Sequence, residues 1–152
     1  MGSRQQRAGR LALPAAPASV SAARAFLAAA LASEGVEGED LFEALLVLSE
    51  LTTNAIVHGS RQEHDDEEVE VAYALEGAKL SICVRDAAHG RSAPVALTAD
   101  QERASGRGLQ IVDWLADWTE QISDGRREVQ AQLELRPRDI ASEATERSPL
   151  CR

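Results

Sequence analysis

The stretch Glu50-Leu51-Thr52-Thr53-Asn54-Ala55-Ile56-Val57-His58-Gly59 sets a carboxylate, a carboxamide and an imidazole four residues apart on an apolar run. Positions i, i+4 and i+8 of an α-helix share one stripe, so Glu50, Asn54 and His58 line up. From Leu41 to Val57 the only formal charges are Glu43 and Glu50, while Phe42, Leu46, Val47, Leu51, Ile56 and Val57 spread apolar surface nearly all round the cylinder. A helix of that kind is expected to be buried. A carboxylate in it needs a cationic partner, a metal-bound ligand or a proton, which makes Glu50 a site candidate. The competing reading makes Glu50 and Asn54 the solvated edge of an ordinary amphipathic helix, and His58 a hydrogen-bonded helix-end histidine.

Two further segments bear on that choice. In Leu80-Ser81-Ile82-Cys83-Val84-Arg85-Asp86-Ala87-Ala88-His89-Gly90 a β-rich run breaks into a small-residue turn directly after an Asp, and an acid at a strand end can accept hydrogen bonds from a ligand amine. In Ser105-Gly106-Arg107-Gly108-Leu109-Gln110-Ile111-Val112 two glycines precede an apolar-periodic helix predicted to reach about Trp118. Glycines there let backbone N–H groups approach an anion at the positive helix end. Taken singly, such an Asp is most often a turn former, and Gly-x-Gly before a helix is commonly a loop.

In this order and spacing, Glu-x-x-x-Asn on a helix, Asp ending the second of two strands and Gly-x-Gly-Leu opening a helix resemble the ATPase domain shared by histidine kinases, gyrase-type topoisomerases and heat-shock chaperones. The likeness is greatest to the small bacterial anti-sigma factor serine/threonine kinases. It covers roughly residues 11–136. The resemblance implies ATP and Mg²⁺ as ligands. It casts Glu50 as general base, Asn54 as Mg²⁺ ligand, Asp86 as reader of the adenine amine, and Gly90 as the remaining glycine of the adenine loop. Gly106, Arg107, Gly108 and Leu109 match the loop and helix start that wrap the phosphates. Ala88 stands where the wider superfamily has the middle glycine of Asp-x-Gly-x-Gly, and Arg126-Arg127-Glu128 follow Gly125 where relatives often place a small hydroxyl residue. The residue types suit the chemistry. Mg²⁺ takes a few oxygen ligands and keeps several waters. Phosphoryl transfer asks chiefly for positioning, with one acid to accept the attacking hydroxyl's proton.

A chain of 152 residues is long enough for one domain that buries roughly two-thirds of its unfolded surface. The net charge of −9 argues against direct nucleic-acid binding, because no Lys/Arg stripe is available for phosphates; it suits a basic protein partner or simple solubility. Lys79 is the one lysine, beside fifteen arginines. Cys83 and Cys151 offer neither metal spacing nor a disulfide framework, which with no apolar run of 18 residues and no signal-like start leads to the expectation of a cytoplasmic protein without membrane contact.

The expected organisation is a disordered segment 1–10, an ATPase-like domain 11–136 and a disordered tail 137–152. Leu11-Ala12-Leu13 reads as a short edge strand. Ser19 is the expected N-cap of a helix from about Val20 to Ser33 with Phe26, Leu27 and Leu31 as its stripe, ended by Gly35. Val69 to Leu75, a Glu76-Gly77 turn and Lys79 to Val84 read as a hairpin, and Thr119–Ser123 with Glu128–Leu135 as a further strand pair. The acid run from Glu63 to Glu68 reads as a solvated loop, and residues 91–105 fit an ATP lid. The fold class is therefore an α/β (α+β) two-layer sandwich of three helices on one mixed, mainly antiparallel sheet. The resemblance implies an ATP-binding anti-sigma regulator that phosphorylates an anti-anti-sigma partner and holds a sigma factor, with a homodimer covering the free sheet face compatible with it. The alternative, favoured by Ala88, is a non-catalytic protein-binding module on the same fold with a degenerate nucleotide site. A hydrolase built on His58, His64 and His89 lacks ligand spacing.

Overall fold

Five strands in the order β1-β2-β3-β5-β4 form one sheet that is antiparallel in all four pairings. The structure, a computed structural model, describes residues 6–59, 67–87 and 109–136. Along the chain run β1 (Arg7–Pro14), α1 (Ala18–Ser33), α2 (Gly38–Gly59), β2 (Glu68–Glu76), β3 (Lys79–Ala87), β4 (Asp117–Ser123) and β5 (Arg126–Glu134). A third helix, α3, is described over residues 109–115. Three helices on one antiparallel sheet make the two-layer α+β sandwich that the sequence predicts.

The alternation of each strand selects the face on which the helices sit. Val69, Val71 and Leu75 of β2, Leu80, Ile82 and Val84 of β3, and Val129, Ala131 and Leu133 of β5 are all buried, and the residues between them are not. Against that face α2 presents Ala44, Val47, Leu48, Leu51, Ala55 and Ile56, and α1 presents Ala23, Leu27 and Leu31. Each fully buried Leu or Val side chain contributes roughly 1.5–3 kcal/mol of transfer free energy. At the end of α1 the Gly35 N–H reaches the Ala32 carbonyl and the Val36 N–H the Leu31 carbonyl, closing the helix on a glycine at φ 75°.

Several expectations are corrected. β1 starts at Arg7, so residues 7–10 are an edge strand rather than part of a disordered segment. Its partner Tyr73 lies over Gly9, where a Cβ would come within 2.6 Å of the ring, and Phe26 meets that ring edge-on at 5.6 Å between centroids. Ser19 is not the N-cap: α1 begins behind Pro17 with no side-chain cap, and the Ser19 hydroxyl donates back to the Pro14 carbonyl. Helix α2 is one-sided rather than apolar all round, since Phe42 (64 % exposed) and Val57 face outward. Trp118 belongs to β4 and not to the third helix, and Trp114 is 81 % exposed while Val112 alone on that segment is fully buried.

The bottom of the sandwich fixes how α2 lies on the sheet. The Leu135 N–H donates to Ala78, and Arg136 then binds the first turns of α2: its backbone N–H donates to Asp40, and its guanidinium pairs with Glu39 and Glu43. The guanidinium holds the exposed Glu39 carboxyl below its usual range, by hydrogen bond first and by charge second. The N-terminus of α2 and the start of β3 therefore share one end of the domain. Asn54 lies about 24 Å along α2 from Gly38 at 1.5 Å per residue, and Asp86 about 23 Å along β3 from Lys79 at 3.3 Å per residue. Each of the two residues therefore stands toward the far end of its own element from that shared end.

Candidate functional site

Near its end, β3 offers an acid on the helix-facing side of the sheet. Asp86 continues the inward series Leu80, Ile82, Val84 and is buried, with its side chain 4 % exposed. Opposite it in register stands Arg127, on the inward series of β5 that continues through Val129 and Ala131. Arg127 Nε donates to Asp86 Oδ2 at 3.2 Å, and Arg127 Nη1 lies 3.6 Å from Glu120 Oε1 on β4. The β4–β5 turn delivers this arginine: Asp124 (φ 52°) and Gly125 (φ 72°) both take left-handed backbone, the two-residue hairpin that matches strand twist. A long basic side chain thus stands against the buried acid.

Glu50 and Asn54 stand on α2 as half-buried side chains. Glu50 is not the fully buried acid that the apolar run suggests, because the helix buries only one face. Arg24 of α1 reaches the Leu45 carbonyl and Ser49 hydroxyl, so α1 covers one flank of α2 and the Glu50–Asn54 stripe lies on the other. Between them Thr52 points inward; it is fully buried, and its Oγ1 has no hydrogen-bond partner among the described residues. Sequence patterns had no means of singling out Thr52, since a threonine in an apolar helix looks like any other β-branched core residue. A buried polar atom of this kind calls for an explanation. Leu109, half-buried, opens the described part of α3. Gly90, Gly106, Arg107 and Gly108, together with Ala88, the expected lid 91–105, most of the acid run, and the tail 137–152, lie outside the described residues.

The other face of the sheet is polar. Arg10, Glu70, Arg85 and Glu128 form a ladder across β1, β2, β3 and β5, with Arg10–Glu70 at 3.4 Å and Arg85–Glu70 at 3.2 Å. Cys83 sits among these residues, and burial, with the Glu128 carboxylate second, pushes its thiol up to about 11. No cluster of three or more metal-ligating side chains occurs among the described residues, and none of their helices is long and apolar enough to cross a membrane.

The sequence profile of the histidine kinase-like ATPase domain matches residues 13–133, and the chain belongs to that family. The family implies nucleotide binding, usually with Mg²⁺. No curated protein matches the chain. Among solved structures, the chain is similar to the RsbU and RsbW domains of Rv1364c from Mycobacterium tuberculosis, with a TM-score of 0.61 and 20 % identity over 86 % of this chain. It spans 33 % of that longer protein, and the likeness is one of fold.

Proposed function

We propose that the protein is an ATP-binding anti-sigma regulator with serine/threonine kinase activity toward an anti-anti-sigma partner. The observations that carry this reading are that Glu50 and Asn54 share one half-buried stripe of α2 and that Asp86 is buried near the end of β3 on the helix-facing side of the sheet. The family match over residues 13–133 and the likeness to a protein with an RsbW domain support it. The donor set fits the ligands: Asn54 offers Mg²⁺ an amide oxygen, and Asp86 offers a base amine an acceptor. ATP supplies the transferable phosphoryl group. Glu50 accepts the proton of the attacking hydroxyl, and the backbone of Gly106, Arg107, Gly108 and Leu109 is assigned to the phosphate oxygens and Gly90 to the base.

One observation favours the non-catalytic module instead. Asp86 is already ion-paired with Arg127, so a base competes with a resident cation. Incubating the protein with Mg·ATP and a candidate acceptor protein separates the two. Phosphorylation of a serine or threonine that is lost in Glu50→Gln supports the kinase. Partner binding that is identical in both proteins, with no transfer, supports the module. Sigma-factor binding, expected away from the pocket, is unchanged under either reading.

A further inference from the structure

We propose that Arg127 sets the nucleotide affinity of this chain by closing the base subsite: its guanidinium occupies Asp86 and has to shift to Glu120 before that acid can accept a base amine. The inference rests on the nucleotide reading and adds a residue to it.

Three side chains carry it. Arg127 sits directly opposite Asp86 in the β3–β5 register, and Glu120 sits opposite Val129 on the adjoining strand, so all three project to the helix side of the sheet. Their side-chain exposures rise in order: 4 % for Asp86, 20 % for Arg127 and 44 % for Glu120. The guanidinium is thus flanked by one buried and one open carboxylate, at 3.2 Å and 3.6 Å.

A neutral amine cannot match the guanidinium as a partner for Asp86: both donate to the carboxylate, but only the guanidinium adds the attraction of a full opposite charge to its hydrogen bond. Base binding therefore has an internal competitor. Glu120 lowers the cost of displacement, because a cation that leaves Asp86 finds a second carboxylate rather than water alone. When the competent state is a minor one, apparent affinity falls by its population; a subsite open about one-tenth of the time binds about tenfold more weakly.

The sign of the effect separates this device from simple electrostatics. Removing a cation near a polyphosphate ligand weakens binding if the cation merely attracts anions. Removing a cation that blocks the base reader strengthens it.

The test titrates the full chain with Mg·ATP and, as a base-free probe, with Mg-tripolyphosphate, using wild type, Arg127→Ala and Glu120→Gln. Expected are about tenfold tighter ATP binding by Arg127→Ala, unchanged tripolyphosphate binding, and ATP binding a few-fold weaker in Glu120→Gln, where the guanidinium keeps Asp86 alone. Equal or weaker ATP binding by Arg127→Ala, with wild-type binding intact, overturns the inference and leaves the nucleotide reading standing. If no protein in the set binds ATP, the nucleotide reading falls and this one with it. Should Arg127→Ala not fold, Glu120→Gln decides on an exposed residue: weaker ATP binding supports the shift of Arg127, and unchanged or tighter binding overturns it.

Discussion

Replacing Asp86 by Asn keeps shape and removes charge, which isolates what the acid does. Its side chain is 4 % exposed and holds Arg127 at 3.2 Å. Arg127 can still donate a charge-assisted hydrogen bond to the amide oxygen, so the substitution forfeits only the charge–charge part of the pair, of the order of 1 kcal/mol. Arg127 is one-fifth exposed and keeps Glu120 within 3.6 Å, which holds the loss near that figure. For a domain of this size about 1 kcal/mol lowers Tm by about 2–4 °C, so the fold survives. Nucleotide binding should suffer more: loss of the charged acceptor weakens ATP by about tenfold or more, while GTP, which lacks the exocyclic 6-amine, changes much less. Differential scanning calorimetry gives the first number, and competition against a fluorescent nucleotide gives the second. Equal losses for ATP and GTP, or none for either, would refute the assignment of Asp86 to the base and leave it a structural partner of Arg127.

Asn54→Ala should abolish the Mg²⁺ dependence of nucleotide binding, because that amide is the side-chain oxygen assigned to the ion; unchanged Mg·ATP affinity rejects the assignment. Glu50→Gln should retain nucleotide affinity while phosphoryl transfer falls by roughly 10²-fold or more, measured by radiolabel incorporation into an acceptor protein, and an unaltered rate removes Glu50 from the chemistry. Cys83, in a Cys151→Ala background, should alkylate at pH 8 roughly a hundredfold more slowly than in denatured chain, since a thiol raised from 9.0 to about 11 carries that much less thiolate. Its raised pKa also makes the folded state the tighter proton binder, so this contribution to stability is complete below pH 9 and is lost as pH rises through about 11; stability that rises over that window contradicts it.

The elements with strong local signals were legible from residues alone. The α2 run, the Glu76-Gly77 hairpin and the Gly35 stop all stand where periodicity and turn chemistry put them. Two strands were harder to read for a physical reason: they are edges. β1 opens on Arg7-Ala8-Gly9-Arg10 and has only Leu11 and Leu13 as large apolar residues, and β4 is mostly exposed, so neither shows a long apolar period. Between α3 and β4 the Trp114–Trp118 spacing mimics a helical repeat; Trp118 instead turns in against the core while its indole N–H donates to Asp113. Of the site, the Glu50–Asn54 stripe follows from helix geometry. The Asp86–Arg127 pair does not, because 41 residues separate its members and only the β3–β5 register brings them together. The half-buried state of Glu50 was equally hidden, since it depends on which side of α2 the other helix covers.

The central claim is that this sandwich binds nucleotide through Asn54-held Mg²⁺ and Asp86. Isothermal titration of the full chain with ATP, with and without Mg²⁺, tests it most directly. One saturable site per chain that strengthens when Mg²⁺ is added is the predicted result. An absence of heat and of competition at millimolar ATP, in both conditions and in a folded sample, would contradict it.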